Sequence, residues 1–119
     1  MTGLRTVAVP VSDQDRALTF YVEALGMDLR MDAPVEQIGG RWIEVAPAGA
    51  GTSIALVPAS DTRPAGIETG IRLATTDAPT LHRALSDGGA DVGELLQWPG
   101  VPTMFEVRDP DGNTLVVVE

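Results

Sequence analysis

The chain has 119 residues, no cysteine and no lysine, and a formal net charge of −9. Its length predicts a single domain over residues 1–119, large enough to bury a core without stabilisation by disulfide bonds or a structural metal. The absence of cysteine excludes thiol catalysis, cysteine-bound zinc and disulfides. The acidic balance argues against a nucleic-acid partner, because phosphates are neutralised by clustered Lys and Arg. No apolar run is long enough to span a membrane and no signal leader is evident, so we expect no membrane partner and a cytoplasmic location.

The sequence contains two copies of one βα pattern. In the first copy, an apolar strand over residues 4–11 leads to Asp13 as the helix cap, and Gly26 ends the helix. In the second copy, Asp77 is the cap and Gly88 with Gly89 ends the helix. Two long copies are typical of a duplicated module rather than a solenoid, which needs three or more short units.

The remaining elements predict a βαβββ order in each copy. In the first copy, strands are expected over residues 27–31, 41–46 and 53–57. In the second, they are expected over 93–96, 104–108 and 114–118, with 109–113 as the turn before the last strand. Module one covers about residues 1–58, a linker rich in Pro and small residues about 59–65, and module two about 66–119.

Four ordered tracts resemble tracts of a known family, the vicinal oxygen chelate superfamily. They are Val9-Pro10-Val11-Ser12-Asp13, Ala17-Leu18-Thr19-Phe20-Tyr21, Leu25-Gly26-Met27 and Asp109-Pro110-Asp111-Gly112-Asn113. That superfamily includes glyoxalase I, bleomycin-resistance proteins and extradiol dioxygenases. The resemblance covers essentially the whole chain and implies an α+β fold, in which two βαβββ modules form curved mixed sheets around a cavity. It also implies a homodimer. The closing turn itself is explained by hairpin chemistry.

The resemblance also implies where a metal would bind. Enzymes of the family hold a divalent metal with His, Gln or Glu at four strand positions, which here correspond to Thr6, Ala55, Gly70 and Val116. These side chains supply at most one weak oxygen ligand, whereas such metals require several imidazole or carboxylate donors. We therefore expect neither metal nor other cofactor.

Other titratable residues give no clear catalytic group. His82, the only histidine, is predicted to be a surface residue in the second helix. Glu44 and Glu106 lie inside strands, where they either face solvent or face a cavity, and strand alternation alone does not decide between these.

Strand alternation places mostly small side chains toward the expected cavity. Arg72 is the exception, and it either orients a ligand oxygen or forms a salt bridge with an acid such as Glu106. Trp42 and Trp98 are predicted to be stacking walls, with Met31 and Met104 as further contacts, although either Trp could instead pack in the core. The predicted ligand-binding residues are Thr6, Ala8, Trp42, Ala55, Gly70, Arg72, Trp98, Met104 and Val116.

Two classes of function compete. The first is a metal-free protein that sequesters an aromatic antibiotic or natural product, as bleomycin-resistance proteins do. The second is a metal-dependent lyase, epimerase or dioxygenase of the glyoxalase type. The unsuitable residues at the four metal positions favour the first. A third hypothesis is a cofactor-free isomerase or hydrolase that uses Arg72 with Glu44 or Glu106.

Overall fold

Each half of the chain forms a four-stranded mixed sheet with a helical segment. The computed structural model describes all residues 1–119. It divides the chain into two compact units, Met1–Gly66 and Ile67–Glu119. Neither unit contains a helix that is both long and apolar enough to cross a lipid bilayer.

The first unit follows the order βαβββ. Its elements are β1 (Thr6–Val11), α1 (Gln14–Thr19), a π-helical turn (Phe20–Ala24), β2 (Asp28–Val35), a 3₁₀ turn (Glu36–Ile38), β3 (Gly40–Ala46) and β4 (Ser53–Pro58). The strand order across the sheet is β1-β4-β3-β2. The first and last strands pair in parallel, while β3 pairs antiparallel with both β2 and β4.

The helix of the first unit begins and ends as its sequence predicts. The Asp13 carboxylate accepts a hydrogen bond from the Arg16 backbone N–H at 3.0 Å, which satisfies one of the free donors at the start of α1. After the π-helical turn, Gly26 adopts a φ of 70°, which is accessible to glycine without steric cost. Tyr21 is fully buried in this unit, together with strand residues such as Val9, Ile43 and Leu56.

Gln14 attaches α1 to the sheet. Its side-chain amide donates to the backbone oxygens of Arg41 at 2.6 Å and Leu56 at 2.9 Å, and its Oε1 accepts from the Arg41 N–H at 3.0 Å. A Cβ at Gly40 would lie 2.7 Å from Gln14 Oε1 and 2.9 Å from Pro58 Cγ. Glycine at residue 40 therefore lets the start of β3 approach the helix without displacing these two side-chain atoms.

The second unit repeats this topology. Its elements are β5 (Glu68–Ala74), α2 (Ala78–Asp87), β6 (Asp91–Val92), β7 (Met104–Arg108) and β8 (Thr114–Val118). The strand order is β5-β8-β7-β6, with β5 and β8 parallel. The Asp77 carboxylate caps α2 by accepting from the Thr80 N–H at 3.0 Å. Phe105, Val107, Leu115 and Val117 are buried in this unit.

The predicted α+β class with two βαβββ modules is confirmed, but two strands differ from the prediction. β2 continues to Val35, beyond the predicted residue 31, and tolerates Pro34 because it is an edge strand that needs no further donor. The predicted strand over residues 93–96 is wrong. Regular strand pairing ends at Val92. Beyond it, the Gly93 N–H donates to the Glu106 backbone oxygen, and Leu96 forms an isolated β-bridge with Met104.

Candidate ligand-binding site

The metal positions of the first unit carry no suitable donor set. The Thr6 hydroxyl donates a hydrogen bond to the Ser53 backbone oxygen at 3.1 Å, and Ala55 has no polar side-chain atom. In the parallel register, Thr6 lies opposite Ser53, and Ala55 lies opposite Ala8. Ala55 is fully buried, whereas Ala8 is exposed.

The metal positions of the second unit also carry no suitable donor set. Gly70 has a φ of 73° and lies where the register between β5 and β8 shifts. Val116 lies opposite Arg72 on one side and Glu106 on the other. No group of three His, Cys, Asp or Glu side chains capable of holding a metal occurs anywhere in the chain. The divalent metal implied by the resemblance therefore does not fit the residues at these four positions.

A buried carboxylate is the main polar feature of the first unit. Glu44 lies in β3 opposite Ala55 and is only 5% exposed. Its Oε1 accepts a hydrogen bond from the Ser53 hydroxyl at 2.6 Å, and its Oε2 accepts one from the Trp42 indole N–H at 2.7 Å. The Arg5 guanidinium donates to Oε2 at a longer 3.4 Å. A charged group this deeply buried requires such partners to offset its lost hydration.

These contacts keep Glu44 ionised. The hydrogen bond from Ser53, and then the bond from Trp42, lower the pKa of the Glu44 carboxyl below its ordinary value. Burial opposes the change, and the positive charge of Arg5 supports it. Glu44 is therefore a fixed negative charge near neutral pH. The structure decides between the two alternatives for Glu44: its side chain does not face solvent but is buried against Ser53 and Trp42.

Glu44 forms part of the wall of a pocket of about 300 Å³ within the first unit. The pocket is lined by Arg5, Arg30, Met31, Glu44, Gly51 and Ser53. The Arg30 guanidinium donates to the backbone oxygens of Ala50 at 2.6 Å and Pro47 at 3.2 Å, both in the loop between β3 and β4. Arg30 forms no ion pair in this unit, so its charge is oriented but not neutralised.

The two tryptophans that are predicted to contact the ligand differ in environment. Trp42 is half-buried within β3, opposite Ala33, with its indole N–H held by Glu44. Trp98 lies in the segment between Leu96 and β7 and is 58% exposed, so it is not part of the core of the second unit. Both positions as ligand contacts remain predictions.

One face of the second sheet contains several of the predicted residues. Arg72, Val116 and Glu106 lie side by side across three strands, and Met104 lies opposite Val118 in the next row. Arg72 is exposed and donates to the Gly70 backbone oxygen at 3.2 Å. Of the two alternatives for Arg72, the salt bridge to Glu106 does not form. Glu106 instead lies 3.8 Å from the guanidinium of Arg108, its neighbour on β7.

His82 is not the plain surface residue that the sequence predicts. Its Nε2 lies 2.8 Å from the Gly93 backbone oxygen, and its ring packs edge-on against Phe105 with 4.9 Å between ring centroids. The ring therefore links α2 to the strands of its sheet. The helical position predicts the surface but not these contacts, which come from residues distant in sequence.

Sequence reasoning did not identify the pocket around Glu44. One signal was present: Trp42 and Glu44 are two residues apart on a strand, which places both side chains on the same face. Strand alternation also places Ser53 toward the expected cavity, and Ser53 lines this pocket. Arg5 and Arg30 gave no comparable signal, because their proximity depends on the register of β1 with β4 and on the path of the β3–β4 loop.

Comparisons with known proteins agree with this architecture. Residues 3–117 match the family described as Glyoxalase/Bleomycin resistance protein/Dioxygenase superfamily. The uncharacterized protein YetH of Bacillus subtilis (strain 168) is 30% identical over 118 residues, which cover 96% of this chain and 95% of YetH.

Two solved structures show the same similarity. TnmS3, an antibiotic binding protein from Streptomyces sp. CB03234, has 37% identity and a TM-score of 0.89, covering 99% of this chain and 95% of TnmS3. A superfamily member from Sphaerobacter thermophilus DSM 20745 has 32% identity and a TM-score of 0.91, covering 100% of this chain and 98% of that protein.

Proposed function

This chain belongs to the Glyoxalase/Bleomycin resistance protein/Dioxygenase superfamily, and we propose that it is a metal-free binding protein for a small aromatic molecule. The ligand is an antibiotic or a related natural product, which the protein sequesters without chemical change. The proposal includes a homodimeric assembly in the cytoplasm.

The similarity to TnmS3 carries the proposal. At 37% identity over nearly the whole length of both chains, that antibiotic binding protein is a relative in sequence as well as in fold. The unsuitable side chains at Thr6, Ala55, Gly70 and Val116 support binding without a metal, because the superfamily's enzymes require donors there.

The proposed binding site combines small side chains with a few oriented polar groups, an arrangement usual for small-molecule pockets. The proposed contacts with an aromatic ligand are Trp42 in the first unit and Arg72, Trp98 and Met104 in the second. Ala8, Ala55 and Val116 are the proposed small side chains at the site. Most of the affinity then comes from apolar surface removed from water, at roughly 25 cal/mol per Å² before the costs of association are subtracted.

A thermal-shift screen against aromatic antibiotics, combined with elemental analysis of the purified protein, tests the proposal. We expect at least one flat aromatic compound to raise the melting temperature in a concentration-dependent way. Elemental analysis should find no stoichiometric divalent metal after dialysis. About one nickel, zinc, iron or manganese ion per chain would contradict metal-free binding and favour an enzyme of the glyoxalase type.

A further inference from the structure

The pocket beside Glu44 differs in charge from the rest of the molecule. Its wall carries the guanidinium groups of Arg5 and Arg30 and the single carboxylate of Glu44, whereas the chain as a whole has a net charge of −9. A local excess of positive charge in an acidic protein requires an explanation, because nearby acids would ordinarily pair with it.

The hydrogen-bonding capacity of the pocket is also unbalanced. Glu44 already accepts from Ser53, Trp42 and Arg5, so little of its acceptor capacity remains. A guanidinium has five N–H donors, and Arg30 uses only two of its nitrogen atoms, both on backbone oxygens. Arg5 is held by one 3.4 Å contact, with its side chain 81% exposed. The pocket therefore offers unused donors and few unused acceptors.

We infer that this pocket is an anion subsite in which Arg30, assisted by Arg5, binds a carboxylate or phenolate oxygen of an aromatic ligand. The inference deepens the proposed function and rests on it, because it specifies the class of aromatic molecule that is bound. Arg30 is suited to this role since the oxygens of Ala50 and Pro47 hold its planar group in place before a ligand arrives.

The other pocket residues fit a ligand with an apolar body. Met31 is 43% exposed, and a thioether side chain adapts its shape to aromatic surfaces. A Cβ at Gly51 would meet no atom within 4 Å, so the chain leaves open space on that side. Glu44 acts as a positioning residue, because its negative charge holds Arg5 at the pocket and its carboxylate fixes Ser53 and Trp42.

A matched pair of probes tests the subsite: 2-naphthoate and the uncharged 2-naphthamide, titrated by NMR or calorimetry at low ionic strength. We expect the wild-type protein to bind 2-naphthoate roughly tenfold to a hundredfold more tightly, as is usual for a hydrogen bond to a charged group. Arg30→Gln should remove that difference. Arg63→Gln is the control, because it removes the same charge from an exposed arginine that does not line the pocket.

A steric variant supplies a second, independent measurement. At Gly51 the backbone φ is not positive and an added Cβ would meet no atom within 4 Å, so Gly51→Leu can place a side chain at the pocket wall. We expect this variant to prevent binding of 2-naphthoate. Gly3→Leu is its control, because Gly3 also has open space around it but does not line the pocket.

The outcomes separate the subsite from the broader proposal. Equal affinity for the two probes, or unchanged 2-naphthoate affinity in Arg30→Gln, would overturn the anion subsite. A loss of affinity in Arg72→Gln in place of Arg30→Gln would overturn it too. If neither probe binds at millimolar concentration while an antibiotic stabilises the protein, the subsite fails and the proposed function stands. If no compound binds, both fail.

Discussion

Single residues of the first unit show how a charged side chain is retained in the interior of a sheet. Glu44 has two strong hydrogen bonds, from Ser53 and Trp42, and one weaker contact with Arg5. No buried side-chain nitrogen or oxygen atom in the chain lacks a hydrogen-bond partner. Removing the Glu44 charge would therefore weaken the hydrogen bonds from Ser53 and Trp42 at once.

Glu44→Gln is expected to lower the free energy of unfolding by about 1–2 kcal/mol near neutral pH. The pKa of Glu44 is lowered in the folded protein, so its charge stabilises the fold above the pKa of the unfolded chain. That contribution is lost as the pH falls through the lower folded-state pKa. The difference between wild type and variant should therefore shrink below about pH 4.3, the ordinary value for glutamate.

Urea unfolding of both proteins at about pH 7 and about pH 3.5 measures this difference. Glu94→Gln is the control, because Glu94 is exposed and makes no side-chain hydrogen bond or ion pair. A difference that stayed constant or grew on acidification would show that the Glu44 charge does not stabilise the fold.

Trp98 allows a second test at the scale of one residue. Trp98→Ala should weaken binding of an aromatic ligand by on the order of 1–3 kcal/mol, because the variant loses the stacking contact between the indole ring and the ligand. Since the Trp98 side chain is 58% exposed, the melting temperature of the ligand-free protein should barely change. Calorimetric titration of the folded variant measures the effect, and undiminished affinity would remove Trp98 from the proposed site.

At the scale of elements, the turn before β8 does more than reverse the chain. The Asp109 carboxylate accepts hydrogen bonds from the backbone N–H groups of Asp111 and Asn113 and from the Asn113 side-chain amide. Asn113, which is fully buried, in turn accepts from the Ile67 N–H at 3.0 Å. The turn thus connects β7 and β8 to the start of β5. The sequence predicted only its role as a hairpin turn, not this connection.

Asn113→Ala is expected to destabilise the protein by about 1–3 kcal/mol, because it leaves the Ile67 N–H and the Asp109 carboxylate without this partner. The exposed change Glu94→Ala serves as the control for the second unit. Denaturant unfolding measures both. If Asn113→Ala were as stable as the control, the turn would contribute only its backbone geometry.

At the scale of the whole molecule, the two units repeat each other down to single positions. Both sheets pair their first and last strands in parallel and have the same strand order. Glu44 lies opposite Ala55 in the first unit, and Glu106 lies opposite Val116 in the second. In each unit, then, a carboxylate lies on the strand next to a position at which the resemblance implies a metal ligand.

The proposed homodimer is tested by light scattering at micromolar concentration. We expect a mass close to twice the 12.5 kDa chain mass. Leu29, Ile38 and Ile67 are large apolar side chains that remain exposed in the single chain, and association would remove such surface from water. A mass close to that of one chain would contradict the dimer.

The sequence alone identified what depends on local interactions. Alternating and three-to-four-residue apolar spacing indicated most strands and both helices, and Asp13 and Asp77 marked the helix caps. The side chains at the four metal positions could also be assessed without coordinates, because a residue's donor atoms follow from its type. The prediction over residues 93–96 failed because pairing beyond Val92 depends on β7 rather than on local alternation.

Only the tertiary structure placed Arg5, Arg30, Glu44 and Ser53 around one pocket. These residues come from the segment before β1, from β2, from β3 and from β4. Their proximity depends on the parallel register of Thr6 with Ser53 and on the loop oxygens that hold Arg30. Such contacts join residues far apart in the chain, so no local pattern encodes them. The amino-acid types were visible in the sequence, but whether each charge is buried, paired or left available was decided by packing.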